Sequence, residues 1–279
     1  MKKIKFLLIL LGFVLLCINV FATEKSFNVE IAGDGKQTVI LIPGFTCSGD
    51  VWNETIVHLK QKFKCYKLTM AGFAGSKAQE NPALKNWEED IAKFIDEQKL
   101  VKPIVIGHSM GGTLAMMLAS DYPDKVGKIV VVDAIPCLPA MFNPTFKCTE
   151  NPDCSQMITT YTQMDDAKFA QNQLAGIKRL VADTSKYNLI TKWGIDTDRK
   201  TYGKLLCDLS NVDLRDRIAS ISCPSLILLE APFKQFDSVM KVQFAKLNGS
   251  KIAYSDKALH FIMYDDKEWY LNQLANFLN

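Results

Sequence analysis

Gly107-His108-Ser109-Met110-Gly111, followed at once by Gly112, is the segment whose residue types and spacing say most about chemistry. A serine hydroxyl becomes a useful nucleophile when a base takes its proton. A tight turn from strand to helix pushes that hydroxyl out of the backbone, where a base can reach it. The turn crowds the main chain, so small residues are needed on both sides of the serine. The helix that follows aims amide N–H groups at an oxyanion forming on the attacked carbonyl. The sequence supplies both flanks: residues 104–106 form a short apolar run that predicts a strand, and 110–120, rich in Ala, Leu and Met, predict a helix. The competing reading is a glycine-rich packing turn. A phosphate-binding loop is excluded, because no Gly-Lys-Ser/Thr follows.

Three histidines compete for the part of base. His108 flanks the serine, and its side chain is expected to point away from it. His58 falls in a polar helical stretch and is expected at the surface. His260 lies between the last predicted strand and the closing helix. An acid must then hold the imidazole in the right tautomer. Asp133 ends the run 128–132. Glu230 follows the run 225–229 immediately, and Asp237 stands where the next helix would begin, a good place for a cap. Metal or cofactor chemistry has little to be built from: there is no Cys-x-x-Cys, and the histidines are few.

The elements that must position these groups follow an α/β rhythm, apolar runs alternating with amphipathic stretches. Strands are predicted at 27–31, 39–42, 65–68, 104–106, 128–132, 225–229 and 251–254. Helices are predicted at 51–63, 86–98, 110–120 and 267–278. In the second of these helices Trp87, Ile91, Phe94 and Ile95 share one face. Trp52, Trp87 and Trp269 are assigned to core packing. The interval 134–221 breaks the rhythm. It holds Pro136, Pro139, Pro144 and Pro152, helical patches at 157–164, 168–181 and 202–206, and no buried-strand run. It reads as a helical cap inserted into a core made of 23–133 and 222–279. Its apolar residues Leu138, Met141, Phe142, Phe146, Met157, Tyr161, Met164, Phe169 and Trp193 are candidates for an acyl pocket, or simply for packing the cap on the sheet.

Residues 1–22 read as an export signal: Lys2, Lys3 and Lys5, an apolar run to Leu16, and Val20-Phe21-Ala22 as the cleavage pattern. An uncleaved N-terminal anchor is the alternative, and Leu16 before Cys17 argues against a lipoprotein. Three of the 33 basic residues fall in this segment, so the remainder carries 30 against 30 acidic residues. The mature chain is formally neutral, and its composition gives no sign of a nucleic-acid or anionic-membrane partner. Seven of the 8 cysteines remain after cleavage. An oxidising destination permits disulfides, and Cys148–Cys154, closing a short polar loop, is the expected pair.

With these motifs in view, the chain resembles the α/β-hydrolase family over nearly all of its mature length. The likeness rests on Ile42-Pro-Gly-Phe-Thr46, Gly107-His-Ser-Met-Gly-Gly112 and Leu259-His-Phe261. It implies a mostly parallel sheet of about seven strands, lacking the first of the family's usual eight, with helices on both faces. The cap would then follow strand six, 128–132. It also implies Ser109 as nucleophile, His260 as base, and the backbone amides of Phe45 and Met110 as the oxyanion hole. Two departures stand out. Pro43 occupies a place where the family often has His. The family's usual acid, after strand seven, falls on Phe233. Certain relatives carry the acid after strand six, which favours Asp133, with Glu230 and Asp237 as alternatives. The expected activity is hydrolysis of a small apolar carboxylic ester or thioester, without a cofactor, by a periplasmic or secreted protein that has no stable membrane insertion after signal cleavage. A ligand-binding or sensing protein with little turnover is the second expectation.

Overall fold

The computed structural model describes residues 26–279, so the expected export signal and its expected cleavage site lie outside the described residues. Seven strands form one sheet: β1 (Phe27–Ala32), β2 (Gln37–Ile42), β3 (Phe63–Met70), β4 (Ile104–His108), β5 (Lys128–Val132), β6 (Ser225–Leu229) and β7 (Lys251–Tyr254). Their order is β1-β3-β2-β4-β5-β6-β7. β1 pairs antiparallel with β3, and every other pairing is parallel. The chain steps from β2 outward to β3 and then back across to β4. The crevice beyond the C-terminal ends of β2 and β4 is therefore the switch point where open α/β sheets place their ligands.

The central strands are apolar on both faces, as a sheet covered by helices requires. In β2, Val39 and Leu41 join one buried cluster while Ile40 and Ile42 join the other, and β5 and β6 divide in the same way. The helices are α1 (Asn53–Leu59), α2 (Leu84–Glu97), α3 (Met110–Asp121), α4 (Ser155–Thr162), α5 (Asp166–Leu180), α6 (Tyr187–Ile195), α7 (Arg199–Ser210), α8 (Asp237–Gln243), α9 (Ile262–Asp265) and α10 (Lys267–Leu278). Trp87, Ile91 and Ile95 turn one stripe of α2 into the core. α3 is buried on every side from Met110 to Ser120, which its uniformly apolar composition requires. The helix expected over 51–63 is shorter. A 3₁₀ turn at Gly49–Trp52 leads into α1, and Phe63 already belongs to β3. No proline or glycine marks that break, so the pattern ran on.

Helices α4 to α7 lie in sequence between β5 and β6. Ile177 from α5, Val181 just after it, and Ile190 and Trp193 from α6 merge with one core cluster, while Leu205 and Leu214 merge with the other. The insertion thus shares its apolar core with the sheet. The disulfide in it corrects the expected pairing: Cys154 bonds to Cys207, and Cys148 is free and exposed. Helices α4 and α7 pack side by side, with Gly203 against the backbone of Met157 and Ile158. That packing brings two cysteines 53 residues apart to a Cα separation of 5.7 Å, within disulfide range. Among the described residues no helix is long and apolar enough to cross a membrane.

Candidate active site

Ser109 ends the turn from β4 into α3 with φ +53° and ψ −119°, a conformation costly for a residue with a side chain. Neighbouring structure holds it there. Its amide donates to the carbonyl of Val132 at 2.8 Å, and its carbonyl accepts from the amide of Thr113 at 3.0 Å. The flanking glycines are sterically required. A Cβ on Gly107 would strike the carbonyl of Gly111, and one on Gly111 would strike that of Ile42. The close approach of α3 to β2 is what allows the turn to be so tight.

His260 follows β7. Its Nδ1 lies 2.6 Å from Oδ2 of Asp133, whose side chain is almost wholly buried. With Nδ1–H donated to that carboxylate, the Nε2 lone pair is the free one. Burial works against a charged His260. The hydrogen bond and charge of Asp133, with the charge of Glu230 added, outweigh it and hold the imidazole above its ordinary pKa. Asp133 is fixed in turn. It follows β5 at φ +51°, its amide donates to the carbonyl of Leu228 at 2.8 Å, and its Oδ1 accepts from the amide of Glu230 at 2.7 Å. Two neighbouring strand ends therefore grip one carboxylate. No hydrogen bond joins Ser109 to His260 among the described residues, and such contacts often tighten only with substrate bound.

Phe45 and Met110 line the same cavity as Ser109 and His260. Met110 is the first residue of α3, so its amide has no carbonyl one turn back to bond. The Phe45 ring packs 5.4 Å from Phe73 and 4.8 Å from Tyr202, which ties the loop after β2 to α7. Pro43 is buried, and the loop is supported by Gly44 lying against His108 and the Ser109 Cβ.

The other candidates separate clearly. His58 is exposed on α1. His108 is fully buried, and its Nε2 donates to the carbonyl of His260 at 3.0 Å. Burial and the nearby His260 hold its pKa well below the ordinary value, so it stays neutral. Asp237 accepts from the Tyr254 hydroxyl at 3.0 Å, pairs with Lys241 and stands outside the cavity. Glu230 lines the cavity, with its carboxyl pushed up to about 7 by burial first and then by the charge of Asp133. Asp265, which sequence reading did not single out, holds the loop before His260. Its carboxylate accepts from the amides of Leu259 at 3.0 Å, Ala182 at 3.0 Å and Asp183 at 2.9 Å, joining the loop before His260 to the end of α5. Its position in a short helix before a second helix gave no signal of this.

The cavity measures about 480 Å³, within the usual range for small-molecule sites. Of the nine apolar residues of 134–221 that are candidates either to line a pocket or to pack against the sheet, Leu138 lines the cavity. The walls come instead from Ile177, Leu180, Ile190, Leu206, Leu209 and Val212. Phe169 packs against Tyr161 and Tyr202, Trp193 is buried in the core cluster shared with the sheet, and Phe142 is 89 % exposed. Among the described residues no group of three or more His, Cys, Asp or Glu is placed to hold a metal ion.

The sequence matches the family model described as the alpha/beta hydrolase fold over residues 37–175. It is 24 % identical over 247 residues to the pimeloyl-[acyl-carrier protein] methyl ester esterase of Wigglesworthia glossinidia brevipalpis, covering 86 % of this chain and 93 % of that one. A shorter match, 27 % identical over 118 residues, is to the karrikin insensitive 2 receptor CA of Petunia hybrida, covering 40 % of this chain and 44 % of the receptor. Among solved structures, the enol-lactonase from Burkholderia xenovorans LB400 superposes with a TM-score of 0.73 at 16 % identity, covering 90 % of this chain and 96 % of that one. With its seven-stranded sheet, its glycine-flanked serine turn and these likenesses, the chain belongs to the α/β-hydrolase fold family.

Proposed function

We propose that the protein is an exported serine hydrolase that cleaves a small carboxylic ester or thioester through an acyl-enzyme on Ser109. The observation that carries this reading is the buried Asp133–His260 pair, 2.6 Å apart, on the wall of the cavity that Ser109 also lines. Nε2 of His260 takes the proton as the Ser109 hydroxyl attacks the carbonyl carbon. The Phe45 and Met110 amides receive the oxyanion, an arrangement in which each donor is worth about a hundredfold to a thousandfold in turnover. Collapse breaks the ester bond, and the proton on His260 passes to the departing oxygen. Water, deprotonated by the same nitrogen, then releases the acid and frees Ser109. The apolar walls suit a short acyl chain. An esterase among the relatives that span most of this chain supports the bond class.

Export rests on the N-terminal sequence and gains support from the Cys154–Cys207 bond, since such bonds persist in oxidising compartments. The segment 134–221 acts in this reading as a cap over the site.

A binding or sensing protein on the same fold is the second reading, favoured by the receptor that matches 40 % of the chain. A fluorophosphonate probe separates the two. Stoichiometric labelling of the wild type, none of Ser109→Ala, and turnover of a short-chain aryl ester are the expected results. Folded wild-type protein that takes up no probe and turns over no ester would leave the binding reading standing.

A further inference from the structure

Two acids line the cavity, Asp133 and Glu230, and the acyl-transfer chemistry uses the first. Glu230 gives its backbone amide to Asp133, but its carboxyl makes no hydrogen bond or ion pair with the described residues. Glu230 is half-buried, and burial with the nearby Asp133 charge pushes its carboxyl up to about 7. With no partner among the described side chains, it is free to pair with a donor on a molecule that fills the cavity.

Geometry and the order of bond changes say which part of the substrate that is. His260 must hand its proton to the departing oxygen, so the leaving group lies on the His260 side of Ser109. The acyl carbonyl oxygen turns to the other side, towards the Phe45 and Met110 amides. Glu230 lines the same cavity as Ser109 and His260, and its charge acts on the His260 imidazole, which puts it in the half of the cavity on the His260 side. Phe233, on the following turn, lines the cavity beside it.

We propose that the Glu230 carboxyl selects the leaving-group half of the substrate, favouring esters whose alcohol carries a hydrogen-bond donor, a hydroxyl or a protonated amine, a few bonds from the ester oxygen. This rests on the ester-hydrolase reading and specifies its substrate class. A plain alkyl alcohol would leave the carboxyl unpaired in a site emptied of water, so the wrong substrate is penalised while the right one is favoured.

The test uses four butanoate esters in two pairs of matched size: 2-(dimethylamino)ethyl against 3-methylbutyl, and 2-hydroxyethyl against propyl. For wild type at neutral pH, kcat/KM is expected to favour the donor-bearing ester of each pair by about tenfold to a hundredfold, the size of a hydrogen bond to a charged group. In Glu230→Leu both ratios should fall to near one. Glu230→Gln, which keeps the shape and loses the charge, should lose the ammonium preference and keep part of the hydroxyl preference. Ratios near one in the wild type, or ratios that survive in Glu230→Leu and Glu230→Gln alike, would overturn the proposal. Fluorophosphonate labelling of Ser109 in the same preparations keeps the two failures apart. Labelling with flat ratios breaks this inference alone, and absent labelling breaks the hydrolase reading beneath it.

Discussion

The ends of β5 and β6 lie side by side, each carries a carboxylate, and only one of them meets the His260 ring. Asp133 follows β5 and is held by two backbone bonds to the β6 end, with a side chain 1 % exposed and Oδ2 on His260. Glu230 follows β6, one step from the same imidazole, and its carboxyl is unpaired. Asp237, further along, faces away to Tyr254 and Lys241. Proximity to His260 is thus not what separates the two carboxylates. The distinguishing feature is the backbone of the β6 end, which holds the Asp133 carboxylate in place. The positive φ of Asp133 turns its side chain to the place where β6 supplies an amide and His260 supplies Nδ1–H.

The largest effect that can break this contrast is on turnover. Asp133→Asn leaves the shape intact but offers His260 the wrong partner, and kcat on a short-chain aryl ester is expected to fall about 10⁴-fold, as in other serine triads. Glu230→Gln should change turnover of the same ester by less than about tenfold, because its aryl alcohol offers no donor and no hydrogen bond to the carboxyl is lost. Asp237→Asn should be indistinguishable from wild type. A collapse in Glu230→Gln with Asp133→Asn unharmed would reverse the assignment.

A smaller effect sharpens the contrast. His260 must be neutral to accept the Ser109 proton, and its pKa is raised in the folded protein. kcat/KM should therefore fall as the pH drops, with a midpoint above that of an ordinary imidazole. Removing the Asp133 charge removes the main support of the imidazolium, so the residual activity of Asp133→Asn should have its midpoint moved to lower pH. Glu230→Gln should move it the same way by less, since Glu230 is the weaker contributor. A pH–rate profile for each variant checks this, and a midpoint unmoved in Asp133→Asn would contradict the pairing.

Much of this was legible in the residues, for identifiable reasons. The serine turn announces itself because its crowding admits only glycine at 107 and 111, a local constraint that sequence records directly. The strands announce themselves because a sheet covered on both faces needs unbroken apolar runs. The acid was narrowed to three candidates and not fixed, because choosing among Asp133, Glu230 and Asp237 needs the lateral packing of β5 on β6, which leaves no local pattern. The segment 134–221 was read least well. Its apolar residues either line the cavity or pack against the rest of the chain, and periodicity is the same for both. The Cys148–Cys154 guess followed loop closure along the chain, whereas the bond follows the contact of α4 with α7. Asp265 escaped notice because its work, three backbone amides from two segments, exists only after folding.

The most direct test of the claim that Asp133 holds the base is the proton between the two. In a one-dimensional proton spectrum, a far-downfield resonance from His260 Nδ1–H is expected in the wild type, absent in His260→Ala, and retained in Glu230→Gln and Asp237→Asn. It should vanish in folded Asp133→Asn. A resonance that persists in Asp133→Asn and disappears in Glu230→Gln would place the acid at the end of β6 and contradict the assignment made here.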